Sequence, residues 1–418
     1  MEYIKKVLKN GVKLYLYPDA KMKRTFVSYG VNYGSSGKYF KFYYKDKFYE
    51  VGPGAAHFLE HMLGEHSKYG NIYNYFSEQR YSTNAFTGQD YTYYYFCGMT
   101  DIKKSIEMII RMVDEPVFTK EDVEETKKAI VEETKRGLNN KASVCYALYY
   151  YNLYKDINLF DESLSSIGNE ETTNLLDYDT LKLCYDAFYY DENKTLLIAG
   201  AFDEEEMTKY IETIYAKIKN HKKEIKYYEC LNLDEVKNRK SVHYMSTSDD
   251  LVLIGFKEKN QKYSKKEIYI YLDFLLDSKF SSDRKFIQDL KYEDIISSFA
   301  FDSHYFLDDE NYDFCVSFNS KNNSVLIKKV IEELKINNFS KKDFELYIKE
   351  SIADEARSID YKYNKFLSFM RIKDISDNFT DVDFFKSLSF DDFIDFYHSL
   401  NFDNYIISII KDSSKKED

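Results

Sequence analysis

The sequence has no tryptophan, only three prolines, and five cysteines that never form a C-x-x-C pair. Cys97, Cys145, Cys184, Cys230 and Cys315 are far apart and odd in number, which argues against both a cysteine zinc site and a disulfide framework. Reduced, buried thiols in a cytoplasmic protein are the expectation. Long apolar runs are lacking as well. Stretches such as Ile406-Ile407 fall far short of the roughly 20 residues of a membrane span. The opening residues, Met1-Glu-Tyr-Ile-Lys-Lys, enter an alternating strand pattern without an apolar signal core, so a soluble chain is expected. Basic charge is not in surplus either. A net charge of −12, with both signs interspersed, disfavours nucleic acid, whose phosphates demand a basic patch.

Tyrosine and phenylalanine are abundant, at 42 and 32 residues. They run the whole length instead of clustering, which reads as codon bias of an AT-rich genome and not as a binding surface. With 44% hydrophobic residues over 418 positions, the chain can bury two cores and suits two domains of about 200 residues each.

From Tyr3 to Phe48 apolar and polar residues alternate between glycine-containing turns, a pattern of antiparallel strands. Gly52-Pro53-Gly54 then punctuates the chain before a helical stretch from Ala55 to about Leu63. Strand pattern returns in Tyr81–Thr87 and Tyr91–Phe96. Amphipathic helices are expected over Asp101–Val113 and Thr119–Leu138, the second opened by a Thr119-Lys-Glu-Asp122 cap. An internal repeat links the two halves. Leu176-Asp-Tyr-Asp-Thr-Leu leads to Asp191-Glu-Asn-Lys-Thr-Leu-Leu-Ile198, and Leu388-Ser-Phe-Asp-Asp-Phe leads to Asp403-Asn-Tyr-Ile-Ile-Ser-Ile409, an offset of about 212 residues. The duplication predicts a domain over 1–218, a polar, lysine-rich linker over 219–239 and a homologous domain over 240–418.

The informative segment is Gly54-Ala-Ala-His57-Phe-Leu-Glu60-His61-Met-Leu-Gly-Glu65. Residues four apart share a helix face, so His57 and His61 can turn their imidazoles toward one ion. Glu60 sits close to the same face, where its carboxylate can take a proton from water activated by the metal. His66 falls on another face or past the helix end and is expected at the surface, as are His221, His243, His304 and His398.

This pattern resembles the pitrilysin (insulinase) family of zinc peptidases, which carry H-x-x-E-H in place of H-E-x-x-H. The run Gly54–Leu63 is similar to the family's signature helix, Asn84-Ala85-Phe86-Thr87 to its Asn-Ala-x-Thr strand, and Asn193–Gly200 to the strand that closes its first domain. The resemblance implies an α+β fold of two homologous domains, each a mostly antiparallel sheet backed by helices, together half of a pitrilysin-type clamshell. It implies a Zn2+ ion held by His57, His61 and a later glutamate. Glu132 and Glu133 both qualify, and setting Ala129-Ile130-Val131 on the family's apolar triplet selects Glu133. The family's supporting glutamate, seven residues earlier, is then replaced by Thr126, whereas Glu125 would match if Glu132 were the ligand. Glu60 becomes the catalytic base, and Asn84, Ala85 and Phe86 the edge against which an extended peptide pairs. The second domain becomes the non-catalytic copy; Arg284 and Tyr292 lie near its substrate-contacting positions, but surface charge and core packing account for them better. Chains of this length pair in the family, so a homodimer or a heterodimer with a related chain is expected. The implied activity is endoproteolysis of peptides or unfolded segments, including maturation of a precursor or leader peptide. The alternative is a non-catalytic or regulatory subunit of such a peptidase.

Overall fold

Period-two alternation early in the chain resolves into strands, and the later three-to-four spacing into helices, as side-chain geometry requires. The computed structural model describes residues 3–99, 102–153, 167–228, 235–260, 262–307, 310–360 and 382–415. Two compact units emerge, Met1–Gly137 with Asn158–Cys230, and Leu138–Ile157 with Leu231–Asp418.

The first unit opens with β1 (Ile4–Val7), β2 (Lys13–Pro18), β3 (Thr25–Val31), β4 (Lys41–Tyr44) and β5 (Lys47–Glu50). Helices α1 (Ala55–Glu65) and α2 (Ile72–Glu78) precede β6 (Ser82–Thr87) and β7 (Thr92–Gly98). Then come α3 (Ile102–Asp114) and α4 (Lys120–Leu138). The chain next forms α5 (Lys141–Leu153), which belongs to the other unit, and returns as α6 (Glu170–Leu175), α7 (Tyr178–Phe188), β8 (Lys194–Gly200), α8 (Glu204–Tyr215) and β9 (Ile225–Tyr227). Six strands form one sheet in the order β1-β2-β8-β3-β7-β6, antiparallel except for β2 beside β8. Helices α1, α2 and α3 pack on β3, β6 and β7, burying Phe58, Leu59, Met62, Ile106 and Ile109 against Val27, Tyr29 and Phe96. Strand β9 lies within the 219–239 stretch read as a linker; it pairs with β4 in a small sheet, β5-β4-β9, where Ile225 is buried.

The second unit holds β10 (Lys240–Met245), β11 (Asp250–Lys259), α9 (Lys265–Phe280), α10 (Lys285–Tyr292), β12 (Ile296–Phe306) and β13 (Asn311–Ser320). Among the described residues, α11 (Asn323–Leu334), α12 (Lys341–Asp360), α13 (Val382–Ser387) and α14 (Phe390–Ser399) follow, and then β14 (Tyr405–Asp412). Its sheet runs β10-β14-β11-β13-β12, with β10 parallel to β14 and every other pair antiparallel. That is the order β2-β8-β3-β7-β6 of the first unit, strand for strand. The repeated segments are the helix-to-strand passages α7–β8 and α14–β14, whose strands occupy matching positions. Helix α5 covers β10, β11 and β14. Tyr149 lies so close to β11 that a Cβ on Gly255 would come 2.1 Å from its ring, which explains the glycine there.

Cys97, Cys145, Cys184 and Cys315 are free and buried, and Cys230 lies outside the described residues. Among the described residues no helix is long and apolar enough to cross a membrane.

Candidate metal centre

Helix α1 begins where Gly54 takes φ 92°, and a Cβ there would lie 2.8 Å from the Ile167 carbonyl oxygen. Only glycine lets the chain enter the helix against that contact. Nearly every residue of α1 is buried, His57 and Glu60 included. An apolar helix that carries two polar side chains inward needs partners for them, since an uncompensated buried polar group is costly. The partners come from α4 and β6.

Helix α4 opens on the expected cap: Asp122 N donates to Thr119 Oγ1 at 3.2 Å, and Thr119 N donates to Asp122 Oδ2 at 2.7 Å. Val123, Thr126, Ile130, Val131 and Thr134 form its buried face. Glu133, three residues beyond Ile130, lies at the margin of that face. Its Oε1 is 3.7 Å from His57 Nε2 and its Oε2 is 3.5 Å from His61 Nε2. Glu132 points elsewhere, with a 69% exposed side chain beside Lys135. One ligand atom each from His57, His61 and Glu133 can be chosen so that all lie within 4.8 Å of one another. The two imidazole–carboxylate separations are too long for good hydrogen bonds. They approach instead the edge of a tetrahedron, about 3.3 Å, whose corners sit about 2.0–2.1 Å from a central zinc. The donor set, two imidazoles and a carboxylate, is also one that zinc accepts while keeping a fourth position open.

Electrostatics favour a cation at this point. Burial, then the neighbouring His61, push His57 down to about 4, so its imidazole is neutral near pH 7, as a metal ligand must be. His61 responds the other way. Burial disfavours its charge, but the nearby Glu133 carboxylate and the hydrogen-bonded Glu65 outweigh that and lift it to about 10. The carboxylates that favour a proton on His61 equally favour a dication between the rings. Glu65 Oε1 lies 2.9 Å from His61 Nδ1, one helical turn along, and orients the ring with Nε2 directed toward Glu133. Among the described residues His57 Nδ1 has no such partner.

Burial pushes the Glu60 carboxyl up to about 7, opposed by a hydrogen bond from the Thr87 hydroxyl at the end of β6. A carboxyl poised near neutrality beside a metal site can accept and release a proton. Strand β6 forms the edge of its sheet. On it Ala85 is buried, Asn84 and Phe86 are exposed, and Asn84 Oδ1 accepts from Ala85 N at 2.9 Å.

Three contributors escaped the sequence reading: Glu65, Thr87 and His66. The signal for Glu65 was its four-residue spacing from His61. The expectation of a surface His66 is corrected. Its side chain is 20% exposed, with Nε2 2.9 Å from Thr126 Oγ1 and Nδ1 3.2 Å from Asp122 Oδ1, tying the end of α1 to α4. Thr126 thus contributes a hydroxyl tie where the family's pattern has a carboxylate. His221, His243 and His304 are also partly buried, and only His398 of the expected surface histidines is exposed. In the second unit Arg284 is held by Asp277 at 3.1 Å, and Tyr292, expected in packing, is 92% exposed.

Comparison with known proteins places the chain in a family. The insulinase (peptidase family M16) profile matches residues 50–159, and the peptidase M16 inactive-domain profile matches residues 176–351. YmfH of Bacillus subtilis, an uncharacterized zinc protease, is 28% identical over 305 residues, 71% of this chain and 70% of that one. An uncharacterized zinc protease of Rickettsia bellii is 28% identical over 40% of each chain. An M16-like peptidase of Alicyclobacillus acidocaldarius superposes with a TM-score of 0.85 at 23% identity, covering 99% of this chain and 98% of that one. Pitrilysin superposes with a TM-score of 0.72 at 14% identity, covering 98% of this chain but 45% of its own. At these identities the solved structures establish the fold, half of a pitrilysin-type clamshell. The two profiles, the related zinc proteases and the superposed structures converge: the chain belongs to the insulinase/pitrilysin family of peptidases, M16.

Proposed function

We propose that this protein is a zinc-dependent metalloendopeptidase in which His57, His61 and Glu133 hold the ion and Glu60 is the general base. The observation that carries the reading is the convergence of the three donors from two helices, with a buried carboxyl alongside. Zinc bound there supplies Lewis acidity, acidifying water and polarising a carbonyl. Glu60 takes the proton of the attacking water and passes it to the departing amine nitrogen, which its intermediate proton affinity permits. The Thr87 hydroxyl holds one oxygen of Glu60 and aims the other. Glu65 fixes the His61 ring. The outer edge of β6, at Asn84, Ala85 and Phe86, offers backbone groups to an extended chain. Such an edge selects peptides and unfolded segments over folded domains, and maturation of a precursor or leader peptide is one use that fits. The half-length match to pitrilysin supports pairing with a second copy or a related chain.

The inactive-domain profile raises the alternative of a non-catalytic subunit, but it matches residues 176–351, beyond all four site residues. The deciding experiment is metal analysis with cleavage of a mixed peptide library, on the unaltered protein and on Glu60→Gln. The expected outcome is zinc in both and a loss of cleavage of about a thousandfold or more in the variant. Equal cleavage by the two would overturn the assignment of Glu60, and zinc-loaded unaltered protein that cleaves nothing would overturn the peptidase reading.

A further inference from the structure

The catalytic carboxyl meets β6 at its last residue, Thr87. At the other end of the strand an open cavity of about 640 Å3 is lined by Arg24, Ser77, Arg80, Ser82, Cys97 and Met99, among others. Register explains the convergence. Thr25 pairs with Gly98 and Ser82 with Cys97, so the starts of β3 and β6 flank the end of β7, and the residues just before them share one opening. From Thr87 to Ser82 is five residue steps, about 17 Å of extended chain. A peptide laid along β6 from the metal centre therefore reaches this cavity.

Two of the chain's eight arginines meet here, in a protein of net charge −12. Arg111, Arg284 and Arg357 are each held by a carboxylate, whereas among the described residues no carboxylate pairs with Arg24 or Arg80. Arg80 also occupies an unfavourable backbone position. It follows α2 with φ 58°, donating to Ser77 O at 2.9 Å, while Tyr81 N donates to Phe76 O at 2.9 Å. That helix-ending turn is best served by glycine, or by asparagine. The guanidinium is what Arg80 brings beyond the needs of the turn.

We propose that this cavity is a carboxylate subsite, in which Arg24 and Arg80 select an acidic group lying about five residues from the cleaved bond of an extended peptide. The inference rests on the edge-strand reading of β6. The acidic group is an aspartate or glutamate side chain or the peptide's own C-terminus, since a guanidinium pair recognises the carboxylate common to all three.

The test reads binding without turnover. Zinc-loaded Glu60→Gln protein is titrated with fluorescein-labelled peptides long enough to span β6, either neutral throughout or with one glutamate moved stepwise along the sequence. Each peptide is made as free acid and as C-terminal amide. The expected result is a preference of about tenfold for glutamate at one or two adjacent positions, or for the free acid over the amide, falling to about one when Arg24→Gln and Arg80→Gly are added. Arg80→Gly alone is expected to raise the thermal midpoint while reducing the preference, a combination that a merely structural arginine does not produce. Equal affinity for acidic and neutral peptides, a preference indifferent to position, or one that survives both substitutions overturns the subsite. Failure of the unaltered zinc-loaded protein to cleave any peptide strikes the peptidase reading instead, and leaves this binding measurement interpretable.

Discussion

The first unit packs α1 on the edge strand β6 and brings α4 to α1; the second packs α9 on its own edge strand β12 and brings α12 to α9. On α1 the residues four apart are His57 and His61, and α4 answers with Glu133. On α9 the residues four apart are Tyr269 and Asp273. Tyr347 of α12 donates to Asp273 at 2.5 Å, and Tyr269 lies edge-on to His304 of β12, with ring centroids 4.3 Å apart. Both units thus place polar side chains between the same pair of helices. In the first, the polar groups are two imidazoles and a carboxylate spaced to suit a metal ion; in the second, they are a donor and an acceptor that satisfy each other. A shared topology therefore says little about chemistry, which depends on the side chains mounted on it.

The largest effect that tests this contrast is on metal content. Glu133→Gln should weaken zinc binding by about a hundredfold or more, because a charged ligand is lost, while Glu132→Gln and Asp273→Ala leave the stoichiometry unchanged. Competition with a chelator measures this. Zinc loss in Glu132→Gln matching that in Glu133→Gln would undo the choice between the two glutamates. A smaller loss, about ten- to a hundredfold, is expected for Glu65→Gln, which removes a carboxylate from behind a ligand without removing the ligand. Unchanged affinity there would show that packing alone orients His61.

On stability instead of metal content, the contrast lies between two buried carboxyls pushed up to about 7, Glu60 in the first unit and Glu258 in the second. Glu258 is lifted by burial, and among the described residues its Oε1 accepts a backbone hydrogen bond from Asn401, at 2.9 Å. Its folded value lies above its usual 4.5. The stability it contributes is therefore full below about 4.5 and is lost as pH rises through about 7, by up to ~3 kcal/mol. Glu258→Gln keeps an acceptor without the charge, so it should raise the urea midpoint at pH 8 and hardly change it at pH 5. An equal shift at both values would show that Glu258 carries no ionisation penalty.

Much of this protein is legible in local sequence because its signals are local. The four-residue spacing of His57 and His61, the Thr119–Asp122 cap and the alternation in β6 and β7 each need only a few consecutive residues. The repeat around Leu176 and Leu388 is readable because a helix leading into a buried strand has the same pattern in both units. The home of α5 was not readable. An apolar, tyrosine-rich helix can cover either sheet, and what decides is Gly255 leaving room for Tyr149, with Asp313 accepting from Tyr149 and Tyr150 at 3.1 and 3.2 Å. Strand β9 was hidden for a similar reason. Three residues amid lysines carry too little pattern, and only pairing with β4 makes them a strand.

The sequence by itself determined the chemistry on offer: two imidazoles one helical turn apart, a glutamate between them, and a pair of later glutamates from which the third donor could come. Only the tertiary structure decided which of that pair faces the imidazoles, because Glu132 and Glu133 are separated by about 100° around α4 and the packing of Thr126 and Ile130 sets the rotation of that helix. It likewise turned His66 inward and brought Thr87 to Glu60. These contacts join residues 27 to 76 positions apart, and only the folded chain holds such residues together.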